Sequence, residues 1–249
     1  MQLPLRIMIV VVLAAVLATG GSPVRAQAPA QAPDKAQEQT QPAYKMTTFQ
    51  LCLLVEGPNA KTSQADPGEI LASHLANLKA LMATPKGVIA GPIGDQGRLR
   101  GVLVLRTATI DEARAIASND PAVKAGLFAV EVHPWFAADE IMKPIFTPAS
   151  LETYYFGFLK KGEKWTPEVT EETKKIQAGH MAHLEASGKS GKLVIAGPLS
   201  DNGDIRGILV YKTATIDEAR AIASADPAVK AGRLKVELHP WMVSKGALP

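Results

Sequence analysis

The sequence predicts an α+β protein: two ferredoxin-like βαββαβ repeats stacked as an intrachain version of a dimeric α+β barrel. Three observations carry this. Residues Val88–Trp135 recur as Val194–Trp241 at a constant offset of 106 positions, with 35 of 48 residues identical, which makes an internal duplication certain. Within each copy the apolar pattern switches between period 2 and period 3.6 in the order of a split βαβ fold. Val102 and Val104 alternate with Leu103 and Leu105, so one strand is apolar on both faces. A sheet with helices on one side must then bury its other side, and the simplest cover is the second repeat about a pseudo-twofold axis.

The elements follow in order. Thr48–Val55 and Tyr154–Leu159 read as first strands. Glu69–Met82 carries Leu71, Leu75, Leu78 and Met82 at helical spacing, and the segment ending at Leu184 is its counterpart with a weaker stripe. Short strands at Val88–Ala90 and Val194–Ala196 run into Gly-Pro, and polar turns (Gly94–Gly97, Ser200–Gly203) lead into Leu99–Arg106 and Ile205–Lys212. Thr109-x-x-Glu112 and Thr215-x-x-Glu218 have capping-box spacing and start helices ending near Ser118 and Ser224. Asp120-Pro121 and Asp226-Pro227 read as an N-cap followed by proline at the first helical position, with Gly126 and Gly232 closing the turn. Last strands, Phe128–His133 and Leu234–His239, are expected to stop at the following proline, which lacks an N–H.

The amino terminus is set apart from this core. Arg6, the apolar run Ile7–Ala18 and the small residues before Ala26 have the pattern of a secretory leader, and the run is shorter than the ~20 residues a spanning helix needs. Residues 1–26 are therefore expected to be cleaved and the protein to be periplasmic or secreted. Residues 27–45, rich in Gln, Ala and Pro, form a flexible linker, followed by repeat 1 (46–135), a connector (136–150) and repeat 2 (151–243). Without Arg6 and Arg25, the 27 Lys and Arg fall to 25 against 24 acids, a net charge of +1. That balance argues against nucleic acid or a polybasic membrane contact. The single Cys52 lies in the run Leu51–Val55 and reads as a core residue.

His74-x-x-x-Leu78, Ala90-Gly91-Pro92, Asp95-x-Gly97, the capped second helix and Asp120-Pro121 occur in that order. They recur as His180-x-x-x-Leu184, Ala196-Gly197-Pro198, Asp201-x-Gly203 and Asp226-Pro227. In this series the chain resembles the YCII-related family across nearly all of Thr48–Trp135 and Tyr154–Trp241. The resemblance implies a dimeric α+β barrel of the kind shared with muconolactone isomerases, and a His/Asp-centred active site. Export and the tandem arrangement depart from the usual small cytoplasmic homodimer.

His74 and His180 fall beside the apolar stripe of their helices, where a partly shielded imidazole can serve as general acid or base or can satisfy a local carbonyl. Asp95 and Asp201 lie in Gly-bounded turns and Asp120 and Asp226 at helix caps; spacing does not decide which aspartate orients which histidine. Glu131 with His133, and Glu237 with His239, share a strand face with Cβ atoms ~7 Å apart, either as a polar pocket inside the barrel or as a surface pair. Arg100 and Arg206 could hold an acidic substrate or pair with a local aspartate. His180-x-x-His183 has metal-like spacing that Asn77 breaks in the first repeat, so zinc stays an alternative to an expected absence of any cofactor. No P-loop, dinucleotide fingerprint, Cys-x-x-Cys or serine elbow occurs. Two readings of function remain. One is a cofactor-free isomerase or lyase acting on a small molecule through His/Asp proton transfer. The other is a non-catalytic ligand-binding or structural barrel. Under either reading the pseudo-dimer is internal, so the chain can be a monomer.

Overall fold

A computed structural model describes residues 45–62 and 66–249. The expected leader and nearly all of the expected linker lie outside them. Each repeat forms a four-stranded antiparallel sheet. In the first, β1 (Met46–Glu56), β2 (Gly87–Pro92), β3 (Leu99–Leu105) and β4 (Phe128–Ala138) lie in the order β2-β3-β1-β4. Helices α1 (Pro67–Met82), α2 (Ile110–Ser118) and α3 (Pro121–Lys124) connect them. In the second, β5 (Leu151–Lys161), β6 (Leu193–Pro198), β7 (Ile205–Tyr211) and β8 (Leu234–Ser244) lie in the order β6-β7-β5-β8, with α4 (Glu171–Lys189), α5 (Ile216–Ser224) and α6 (Pro227–Lys230).

Strand alternation sorts the side chains into three layers. Phe49, Leu51, Leu53, Val102, Val104 and Trp135 meet Tyr154, Phe156, Phe158, Ile208, Val210 and Trp241 in one buried cluster between the sheets. The intervening residues face the helices: Cys52, Leu103 and Leu105 pack with Leu78, Met82, Ala113 and Ala117, and Leu209 and Tyr211 with Leu184, Ala219 and Ala223. The two bare faces cover each other, as the duplication predicts. Burial pushes the Cys52 thiol up to about 12, which suits an inert core residue.

The final strands run longer than expected. β4 passes through Pro134 to Ala138, and β8 through Pro240 to Ser244. Both are edge strands, where a missing N–H breaks no ladder. The proline carbonyls face the other repeat instead: Pro134 accepts from Ser200 N–H (3.2 Å) and Pro240 from Gly94 N–H (2.8 Å). Bridges between Trp135 and Leu199 and between Ile93 and Trp241 complete two seams, β4–β6 and β8–β2, that close the sheets into a barrel. A Cβ on Gly91 would stand 2.0 Å from the Met242 carbonyl, and one on Gly197 2.0 Å from that of Phe136. Only glycine lets the edges approach so closely.

Of the expected capping boxes on α2 and α5, half is present. Thr109 and Thr215 accept from the Glu112 and Glu218 N–H, but those glutamates bond Ala108 and Ala214 N–H, one residue before the cap. Of the connector, residues 136–138 belong to β4, while Ile141 and Met142 pack into the inter-sheet core.

Candidate functional site

α1 and α3 bring His74 to Asp120. The aspartate sits at the N-cap of α3, where Oδ1 accepts Ala122 N–H at 2.9 Å. The same oxygen lies 2.8 Å from His74 Nδ1, and Asn77 donates to Oδ2 at 2.8 Å. α4 and α6 repeat the arrangement, with His180 Nδ1 2.6 Å from Asp226 Oδ2 and Ala228 N–H 2.8 Å from Oδ1. The His74 and His180 side chains are only 9% and 10% exposed, and the His74 ring packs edge-on against Phe128. Burial pushes the Asp120 carboxyl up, but hydrogen bonding and charge from His74, with Asn77 and Ala122 N–H, outweigh it and hold the group below the usual carboxylate range. A carboxylate only accepts, so the Nδ1 hydrogen points at it and Nε2 is left for proton exchange. Asp120 and Asp226 thus cap a helix and orient a histidine with the same carboxylate, a double use that cap spacing alone did not separate.

The turn aspartates go elsewhere. Asp95 does not reach His74, nor Asp201 His180; each crosses to the other repeat. His239 Nδ1 lies 2.7 Å from Asp95 Oδ2, and His133 Nδ1 2.5 Å from Asp201 Oδ2, while Gly97 and Gly203 N–H fill the other oxygens. Burial raises both carboxyls, and the histidine bonds and glycine N–H groups lower them further, for a net downward shift. Glu131, His133, Glu237 and His239 point to the inter-sheet side, since their strand mates Trp135 and Trp241 are core residues there. Glu237 bonds both His239 Nε2 (3.0 Å) and Lys160 (2.6 Å), whereas Glu131 bonds Arg98 (2.7 Å). Burial raises the Glu237 carboxyl, and these cationic partners bring it below its usual range.

Neither candidate arginine holds an aspartate. Arg100 bonds Glu56 at 2.7 Å; Arg206 reaches the Gly203 carbonyl at 3.5 Å and stacks on Trp165. His183 does not join His180 as a ligand pair. Its Nε2 is buried without a partner among the described residues, beside a shallow open depression between α4 and α5 lined by Ala186, Ser187, Ser190, Ala221, Ile222 and Ala225. Among the described residues no three His, Cys, Asp or Glu side chains come together as a metal site.

The YCII-related domain model matches residues 48–136 and again 160–242, taking in both His–Asp pairs. The chain belongs to the YCII-related family. No curated protein sequence matches it. Among solved structures, chlorite dismutase from Candidatus Nitrospira defluvii in complex with imidazole is similar, at 13% identity and a TM-score of 0.53, over 81% of this chain and 92% of that one. A heme-binding protein from Thermus thermophilus is similar at 11% identity and a TM-score of 0.53, over 80% and 94%. At such identities the likeness shows the shared barrel alone. It also corrects one expectation. Composition and motifs suggested a chain without a cofactor, yet a neighbour of the same fold is a heme-binding protein, so the lack of a cofactor motif does not exclude one.

Proposed function

We propose that this YCII-related chain is an exported acid–base catalyst for a small molecule, with His74 and His180 as the proton-transferring groups. The observation that carries the reading is the buried His–Asp pair built twice from separate helices, each with Nδ1 engaged and Nε2 left over. In each site the aspartate fixes the ring orientation and tautomer, Nε2 takes a proton from the substrate, and the carboxylate stabilises the imidazolium that results. Asn77 holds Asp120 in place in the first site; the second has His183 at that position. Proton abstraction followed by return at another atom gives isomerisation, and loss of a leaving group gives elimination. Export rests on the leader pattern of residues 1–26.

Heme enters as the group a fold neighbour binds. A histidine with carboxylate behind Nδ1 is a suitable iron donor. Between the sheets and beneath the helices the described side chains form closed apolar clusters, so those layers do not fit a flat macrocycle as they stand.

The test is a small-molecule turnover panel with wild type, His74→Gln, His180→Gln and the double variant, run with and without added hemin or divalent metal so that a cofactor requirement reads separately. Loss of a general base should cost about 10²–10⁴ in rate at the affected site. Each single variant should therefore keep turnover from its intact site while the double variant loses both. Turnover by the double variant equal to wild type would remove the proposal.

A further inference from the structure

The two seams carry the same residues in different bonding states, and the difference points to a ligand. At the β8–β2 seam both nitrogens of His239 face carboxylate oxygens, Asp95 through Nδ1 (2.7 Å) and Glu237 through Nε2 (3.0 Å). Lys160 holds Glu237 there from β5 at 2.6 Å. At the β4–β6 seam His133 Nδ1 engages Asp201 in the same way, at 2.5 Å. Its Nε2, however, is buried with no hydrogen-bond partner among the described residues. Two sequence differences between the repeats explain this. The ladder register puts Val55 where the second repeat has Lys160, since Val55 pairs with Ala129 as Lys160 pairs with Lys235. Arg98, whose counterpart is Asp204, draws Glu131 aside at 2.7 Å.

We infer that His133 Nε2 is a binding point for the carboxylate of a small organic acid. The chain supplies the template: the group that satisfies the equivalent nitrogen of His239 is a carboxylate, and in the first repeat the internal one has been taken away. Arg98, bonded to Glu131 two residues along the same strand face, brings a positive charge to that face, as Lys160 does through Glu237 in the other repeat. A buried imidazole nitrogen left unpaired is costly. A carboxylate only accepts, so the hydrogen that Nε2 donates arrives with the acid itself, and the charge-assisted bond that results displaces no existing one. Nε2 is closed off from solvent, so binding requires side chains over it to move. The site lies on the inter-sheet face, whereas His74 packs on Phe128 on the helix side, so it does not depend on the proposed catalysis.

The full chain with ¹⁵N-labelled histidine would be titrated with acetate, and with acetamide as a neutral isostere, following the imidazole nitrogens by NMR. A saturable shift at His133 Nε2 with acetate, absent with acetamide and absent at His239, is expected. His133→Gln should weaken the acetate response at least tenfold in apparent Kd, as read on backbone amides around Asp201. If that variant fails to fold, Arg98→Ala decides: freeing Glu131 lets it cap Nε2 as Glu237 caps His239, which should also weaken acetate at least tenfold. No saturable shift at His133, an equal response to acetamide, or undiminished binding by Arg98→Ala would overturn the inference.

Discussion

Asp120 carries three hydrogen bonds on one carboxylate, and their removal has separable consequences. Asn in its place keeps an acceptor for Ala122 N–H but loses the charge that faces His74. The change should destabilise the protein by about 1.5–3 kcal/mol, the range for a buried hydrogen bond to a charged group, measured by urea unfolding at neutral pH. The acid limb gives a second readout. Asp95, Asp120, Asp201 and Glu237 are all held below the usual carboxylate range in the folded chain. With depressed folded values, the unfolded chain binds more protons. Their stabilisation is therefore present above about pH 4, the ordinary carboxylate value, and lost as pH falls through the folded values. Thermal melts from pH 7 to 2 should show a steepening loss below about pH 4. Asp120→Asn should flatten it, because one of the linked groups is gone. An unchanged acid limb in that variant would show that Asp120 is not among the groups responsible.

At the scale of elements, strands, helices and caps were legible because each is set by local pattern: alternation, an apolar stripe, Thr or Asp before a helix. What local pattern could not show is why Gly91 and Gly197 stand in the Ala-Gly-Pro motifs. Each answers to a carbonyl in the other repeat, Met242 or Phe136, remote in the chain. The same holds for Pro134 and Pro240, which read as strand ends until the edge position and the bonds to Ser200 and Gly94 are known. Gly91→Ala should cost about 3 kcal/mol or more, since a backbone oxygen at 2.0 Å cannot give as a side chain would. Tm would report this. A loss under 1 kcal/mol would mean the seam is looser than its geometry. The depression between α4 and α5 tests packing in the opposite direction. Ser187 occupies the place of Leu81, which packs against the helix-side cluster of the first repeat. Ser187→Leu should fill the depression and raise stability by about 1 kcal/mol.

At the scale of the whole molecule, the duplication told that two sheets would share one core but not how charged residues would be distributed across the join. The sequence left Asp95 and Asp120 both open as partners of His74; folding sends Asp95 to His239 and gives His74 to Asp120. That exchange arises only when two copies stack, because the β2–β3 turn of one repeat lies against the last strand of the other. A single repeat therefore lacks both its apolar cover and the partner of its turn aspartate. Separation of the halves by cleavage within residues 139–150 gives the sharpest test. Each fragment would expose its side of the inter-sheet cluster, including Phe49, Leu51 and Trp135 or Tyr154, Phe156 and Trp241, a patch far larger than a monomer tolerates in water. Mixed fragments should re-form a one-to-one complex. Each fragment alone should self-associate, because its bare sheet face has no other cover. Light scattering on the separate and mixed fragments reads this directly, and a stable monomer from either fragment alone would contradict the shared core.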